Sequence, residues 1–124
     1  MTVITAEPGK PAVYPLPIKQ GAVFQLTVNI QDQDGGIRTL TGFTAEMQIR
    51  AYVEATDTLA EFSTTEGSIA ITPATGEVVV TIGGAETSTY EWRHGKYDLF
   101  IFDSSGQPEC VLQGAVTVDP AVTR

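Results

Sequence analysis

The chain has 124 residues, of which 42% are hydrophobic and 18% are charged, and a formal net charge of −8 at pH 7. This length predicts a single domain, and the acidity argues against nucleic acid or an anionic membrane as a partner, because both bind through basic patches. One cysteine excludes an intrachain disulfide, and no stretch approaches the roughly 18 apolar residues of a membrane span.

Residues 1–20 are rich in proline, which blocks a helix and interrupts the hydrogen-bonding ladder of a sheet. The prolines are Pro8, Pro11, Pro15 and Pro17, and the apolar side chains between them include Val3, Ile4, Val13 and Tyr14. We predict an extended arm that lies against this subunit or a neighbour, ahead of a sandwich domain at residues 21–124. A frayed terminus with one edge strand is the alternative. The segment lacks the pattern of a signal peptide, so we expect a soluble protein made in a cytoplasm.

Alternation of apolar and polar residues predicts the first strands. Residues 22–31 place aliphatic side chains on one face and polar but uncharged side chains on the other, and residues 43–50 alternate in the same way. A short return strand is predicted at residues 37–41, and residues 59–62 form a short strand that pairs with residues 43–50.

A hairpin and a short helix come next. Residues 68–72 and 77–82 are β-branched runs on either side of a turn that contains Thr75-Gly76, which is a strong hairpin pattern. Residues 85–92 are the one candidate helix, with Tyr90 and Trp92 as its anchors. At this length the helix needs packing to be stable.

The hairpin from residue 97 to residue 118 is the most informative stretch. In its first strand, Phe100 and Phe102 lie on the same face as the charged Asp98. We therefore predict that both Phe side chains point outward and begin an exposed apolar patch. Gly114 marks a bulge or a close approach of two backbones. The predicted inward side chains are Tyr97, Leu99, Ile101, Leu112, Val116 and Val118.

These elements together predict the fold class. About seven or eight short strands, with turn residues roughly every 8–12 positions and at most one short helix, are typical of an all-β antiparallel sandwich. The chain has no helices long enough to connect parallel strands in βαβ units.

The sequence offers no convincing catalytic, cofactor-binding or metal-binding residue. His94 has an orienting carboxylate in Asp98 four residues on, but no G-x-S-x-G motif supplies an activated serine. Asp32 and Asp34 begin like a calcium loop whose other ligands and closing Glu are missing. Zinc sites need three or four Cys or His ligands, and this chain has one of each. We predict no cofactor and no enzymatic activity, and rank a small hydrolase that depends on His94 last.

Several segments follow, in order, the pattern of a known group of proteins. From residue 40 onward they read LTGFTAEMQIR, GSIAIT, TGEVVVTI, AETSTYEW, GKYDLFIFD and VLQGAVTVDPAVTR. Their order resembles small structural proteins of tailed phages and prophages, over about residues 24–124. The resemblance implies an immunoglobulin-like β-sandwich that is part of a virion, in the tail, baseplate, neck, fibre attachment or capsid decoration. The proline-rich start departs from that pattern.

We therefore expect a virion protein that contacts other virion proteins and forms homo-oligomers. The expected protein contacts are Val3, Ile4, Val13, Tyr14, Phe100 and Phe102. The alternative is a carbohydrate-binding module for attachment to the host surface. In that module Tyr90, Trp92 and Tyr97 would stack on sugar rings, whereas the competing interpretation is that Trp92 closes one end of the core.

Overall fold

The structure is a computed structural model that describes residues 2–7, 9–32 and 34–123. Met1, Gln33, the Pro8 of the predicted arm and the Arg124 that closes the V-T-R motif lie outside the described residues. Within the described part, the elements are β1 (Thr2–Ala6), β2 (Ala12–Val13), β3 (Leu16–Lys19), β4 (Phe24–Ile30), β5 (Thr44–Arg50), β6 (Ala60–Ser63), β7 (Ile69–Thr72), β8 (Glu77–Ile82), α1 (Gly84–Thr87), β9 (His94–Phe102) and β10 (Pro108–Asp119).

The strands form two sheets around one hydrophobic core, so the predicted all-β sandwich is confirmed. A four-stranded sheet has the order β1-β4-β8-β7. A six-stranded sheet has the order β2-β10-β9-β5-β6, and β3 also pairs with β10. Strands β4 to β10 pair antiparallel, as predicted. The three N-terminal strands pair parallel with their neighbours, so both sheets are mixed.

The core contains the side chains that the alternation places inward. In the last hairpin, every predicted inward side chain is buried: Tyr97, Leu99, Ile101, Leu112, Val116 and Val118. The same holds for Leu26, Val28 and Ile30 of β4 and for Ala45, Met47 and Ile49 of β5, while Phe24, Phe43 and Ile71 pack at the margin of the core. Burying one such aliphatic side chain stabilises the fold by about 1.5–3 kcal/mol.

The proline-rich segment is extended and divides its strands between the two sheets. β1 lies beside β4, with Thr2 opposite Leu26 and Ala6 opposite Ile30. β2 and β3 instead run along β10. Prolines fit here because each of these strands adds to the side of a sheet, where fewer backbone donors are needed. The described arm therefore packs on its own chain, and the boundary between residues 20 and 21 stays a prediction.

Two hydrogen bonds of the Tyr14 backbone fix the segment between β2 and β3. Its N–H donates to the carbonyl of Gln113 at 2.9 Å, and its carbonyl accepts a hydrogen bond from the Tyr97 hydroxyl at 2.6 Å. Gly114 lies directly beneath, and a Cβ at that position would overlap the Tyr14 carbonyl oxygen. Gly114 is therefore the site of a close backbone approach, one of its two predicted roles.

Tyr97→Phe should lower the free energy of unfolding by about 1–2 kcal/mol, because it removes the hydroxyl that satisfies the Tyr14 carbonyl. Tyr90→Phe is the matched control. The Tyr90 hydroxyl is also buried, and its interaction with Glu86 falls short of hydrogen-bond geometry, so its loss should change stability by less than about 0.5 kcal/mol. Urea unfolding of both variants measures the difference, and equal losses would contradict the assigned role of the Tyr97 hydroxyl.

One local prediction is wrong, and the predicted short helix is confirmed but is shorter than expected. Residues 37–41 form no strand, only one bridge between Gln31 and Ile37, and the Ile37 side chain is 66% exposed. The helix is shorter than residues 85–92: α1 ends at Thr87, since the hydroxyls of Ser88 and Thr89 donate back to carbonyls of the preceding turn at 2.7 and 2.6 Å. Such local side-chain bonds compete with continuation of a helix.

A bulge in β10 lies at Val111 rather than at Gly114. The pairing with β9 shifts between Cys110 and Leu112, so Val111 and Leu112 are both buried. The extra residue reverses the parity of the strand before it. Cys110 therefore lies opposite Phe100 on the outer face of the sheet, half-buried rather than inside the core.

Candidate functional site

An aromatic patch covers one end of the outer face of the six-stranded sheet. It consists of Phe100 and Phe102 of β9 and their cross-strand neighbours Cys110 and Pro108 of β10. The two phenyl rings stack with centroids 6.4 Å apart and an interplanar angle of 27°. Both rings are half-buried. The predicted outward direction of the two Phe side chains is confirmed by the burial of Leu99 and Ile101 on the opposite face of the strand.

A groove of about 390 Å³ with mixed polar and apolar walls occupies the other end of the same face. Its walls include Arg50, Lys96 and Asp98, with the exposed Val13 and Val53 at its rim. The Arg50 guanidinium is already engaged by the carbonyls of residues 55 and 56 and by Gln48. Partial burial raises the pKa of the Asp98 carboxyl, and the charge of Arg50 opposes that shift. The groove joins opposite charges, so it presents no strong field to a charged ligand.

The structure does not bring the six predicted contact residues together. Phe100 and Phe102 are adjacent, whereas Val13 is at the groove and Tyr14 packs on the core at the same end. Val3 is 55% exposed on the outer face of the other sheet, and Ile4 points inward against the core. Whether any of these side chains contacts a partner stays a prediction.

The three aromatic residues of the glycan alternative do not form an exposed platform. Tyr90 and Tyr97 are 2% and 4% exposed, because both rings are part of the core. Tyr90 packs on Trp92 with ring centroids 4.9 Å apart, and Trp92 itself is half-buried. Stacking on a sugar needs a ring face that solvent can reach, so these residues cannot supply the predicted surface. The arrangement matches the competing interpretation, in which Trp92 closes one end of the core.

The residues weighed for chemistry lie apart. His94 and Asp98 share the outer face of β9 but are four residues apart, which places them about 13 Å from each other at the rise of a strand. Burial and then the charge of Asp98 raise the pKa of the Cys110 thiol, which donates weakly to the carbonyl of Leu112. A raised pKa leaves little of the thiolate that a nucleophile requires.

In the acidic turn after β4, the Asp32 carboxylate is bonded to backbone amides of the same turn. Asp32 accepts hydrogen bonds from the amides of Asp34 and Gly36 at 2.9 and 3.0 Å, which closes the turn. Across residues 2–7, 9–32 and 34–123, no group of three or more His, Cys, Asp or Glu side chains is placed to hold a metal ion. Nor does this part of the chain contain a helix that is long and apolar enough to cross a membrane.

The outer face of the four-stranded sheet is almost without charge, and we call it the uncharged face. Its central row runs across all four strands through Val3, Thr27, Val79 and Ala70. The rows on either side carry Thr, Asn and Gln, and Glu77 at one end is the one charged side chain among the described outward positions. The sequence already showed an uncharged outward face on β4, but not that three further strands extend it.

The comparisons with known proteins concern the fold. Neither a protein-family model nor a curated protein matches the chain in sequence. Among solved structures, the chain is similar to the N-terminal domain of phage TP901-1 ORF48, with a TM-score of 0.59. The match covers 96% of this chain and 99% of that chain at 11% sequence identity. At this identity the likeness shows a shared fold over nearly the whole chain.

Proposed function

We propose that the chain is a non-enzymatic structural component of a tailed-phage virion that acts through protein–protein contacts in the assembled particle. The observation that carries the proposal is the fold shared over nearly the whole chain with a domain of a phage protein. The sequence segments from residue 40 onward follow, in order, the pattern of tailed-phage structural proteins, and this resemblance supports the proposal separately from the fold. The tail, baseplate, neck and capsid decoration are the places in the particle that the proposal covers.

The aromatic patch supports a role in contacts. Stacked, half-buried phenyl rings on an outer sheet face expose apolar area that a monomeric protein gains nothing from showing to water. Aromatic side chains are enriched at protein interfaces, where they supply large contact area at a low entropic cost. The neighbouring Glu46 and Thr44 give the patch a polar border on the β5 side, which is the usual arrangement of an apolar centre and a polar rim.

Electron microscopy of purified particles tests the proposal directly. A gold-labelled antibody against this chain should mark one location on the particle, and mass spectrometry should find the chain in the same preparation. Particles that carry the remaining structural proteins but lack this chain would overturn the virion role. A label spread at random over debris would do the same.

A Phe100→Ser plus Phe102→Ser variant should enter particles at least about tenfold less than the parent chain while keeping its fold. Its far-ultraviolet circular dichroism should match the parent, since neither ring is part of the core. The control is Val23→Ser plus Val122→Ser, which removes exposed apolar side chains elsewhere. Normal incorporation of the Phe variant would show that the patch is not a contact surface.

A further inference from the structure

We infer that the uncharged face is a self-association surface, on which a second copy of this chain packs sheet against sheet. The chain carries 15 acidic residues and a net charge of −8, so charge is available for any exposed strand. Charged side chains are depleted at the centres of protein interfaces but not on solvated surface. The low charge of this face therefore matches an interface centre. Charged side chains on exposed strands normally oppose unwanted association, and among the described outward positions of these four strands Glu77, at one end, is the one that is charged.

The six-stranded sheet of the same molecule provides the contrast. Its described outward positions carry Lys19, Glu46, Arg50, Glu61, Lys96, Asp98 and Asp119. Both outer faces are open to water in this chain, so solvation alone does not explain why the described outward positions of one sheet carry seven charged side chains and those of the other carry one. The difference marks the four-stranded sheet as the surface that is covered in an assembly.

The centre of the uncharged face consists of short, closely packed side chains. Thr27 points outward yet is 2% exposed, because Val3 and Val79 flank it on the two neighbouring strands. Ala70 completes the row on the outermost strand. Short side chains of this kind, three of the four β-branched, suit face-to-face packing of sheets, which brings two layers to about 10 Å from each other.

Charge selects a second copy as the occupant. A partner that buried a charged side chain against this face would leave it unpaired, which is strongly unfavourable. Nucleic acid and anionic membranes are repelled by the net charge. The same face of a second copy has the required uncharged surface of short side chains, and it is where two chains of charge −8 can meet with few carboxylates between them. An antiparallel arrangement of the two copies places their Glu77 side chains at opposite ends.

The size of the face sets the strength of the association. Four strands at a spacing of about 4.8 Å, with about six residues each, make a surface of roughly 19 by 20 Å, or about 400 Å² on each copy. Stable interfaces bury about 600–1,000 Å² on each partner. The dimer is therefore weak and dependent on concentration, and it becomes persistent where many copies are held close together in a particle.

This inference shares one expectation with the proposed function, namely that the chain assembles with other copies or proteins. Sedimentation velocity of the parent chain from about 10 µM to about 1 mM should show the mean mass rising towards that of a dimer. Added salt should strengthen the association, since it screens the repulsion between two acidic chains. Particle localisation and solution mass are separate measurements, so one can fail while the other holds.

Lysine substitutions identify the surface. Val79→Lys and Ala70→Lys should each weaken the dimer at least about tenfold, because both bury a charge in the interface. Ala70 is exposed and keeps the test valid if Val79→Lys fails to fold. Thr117→Lys, an exposed position on the other sheet, should leave the dimer unchanged. A parent chain that stays monomeric at about 1 mM overturns the inference. So does a dimer that is insensitive to both substitutions on the uncharged face, or one lost through Thr117→Lys.

Discussion

Gly114→Ala should lower the free energy of unfolding by about 2–3 kcal/mol, a large share of the stability of a domain of this size. The added Cβ would overlap the carbonyl oxygen of Tyr14 and would also lie 3.0 Å from its carbonyl carbon and 3.3 Å from the Tyr97 ring. None of these atoms can move alone, because the Tyr14 backbone is bonded to both Gln113 and Tyr97. The arm must therefore shift away from β10.

Gly83→Ala is the control for Gly114→Ala. Gly83 has ordinary backbone angles and no neighbouring atom within 4 Å of an added Cβ, so its substitution should cost less than about 1 kcal/mol, from the weaker preference of alanine for the N-cap of α1. Urea unfolding gives the two free energies, and hydrogen exchange at the Tyr14 amide gives a local readout. Faster exchange at Tyr14 in the Gly114 variant is expected. Unchanged exchange together with unchanged stability would show that the close approach does not hold the arm.

Gly76→Ala should cost about 3 kcal/mol, through two effects that add. Gly76 has a φ of +68°, which a residue with a Cβ adopts at a cost of about 1 kcal/mol. An added Cβ would also lie 2.6 Å from the carbonyl oxygen of Arg38 and 2.7 Å from that of Ile30. The turn between β7 and β8 therefore packs tightly against the end of β4 and the loop that follows it, and both backbones would have to separate.

Gly106→Ala separates the two effects. Gly106 lies in the turn between β9 and β10 with a φ of +84°, but nothing lies within 4 Å of its added Cβ. Its substitution should cost about 1 kcal/mol, from backbone conformation alone. Thermal and urea unfolding of both variants measures the excess at Gly76. Equal losses in the free energy of unfolding at the two glycines would mean that the close packing around Gly76 contributes nothing to the cost of its substitution.

The sheet elements were predictable because their signal is local. The face of a strand follows from a period of two, and the burial of β5, β8 and β9 keeps this period, while β4 departs from it at Thr27, which is buried on the outer face. The turn at Gly76 was equally clear, since the residue types required at positive φ are few. The position of Val111 was not predictable, because a bulge depends on how two strands pair and leaves no mark on composition.

The partners of the arm could not be predicted from the sequence. Proline spacing indicates an extended chain but carries no information on which distant strand it joins. The loop at residues 37–41 was misassigned for a related reason. Arg38 in that loop forms a two-point ion pair with Glu109, at 2.9 and 3.0 Å, and lies over the Phe43 ring, and such long-range contacts override local alternation.

The two candidate contact surfaces also differ in how far the sequence predicts them. Phe100 and Phe102 could be placed outward from the parity of one strand, and the structure confirms their direction. The uncharged face needs the order of four strands, because Val3, Thr27, Val79 and Ala70 are far apart in the chain. The buried state of Tyr90 and Tyr97 also depends on the packed core, which explains why three aromatic residues close in sequence were a misleading pattern.

The parallel pairing of β2 and β3 with β10 has a consequence for the order of events during synthesis. Lys19 is bound to Asp119, a hundred residues later, and the Tyr14 amide to Gln113. A ribosome that adds residues at roughly 5–20 per second would keep the arm waiting about 5–20 s for these partners. Throughout that interval β2 and β3 lack their partner strand, whereas β1 can already pair with β4. The prolines of this segment have no backbone N–H, so they reduce the number of donors that it offers to another nascent chain.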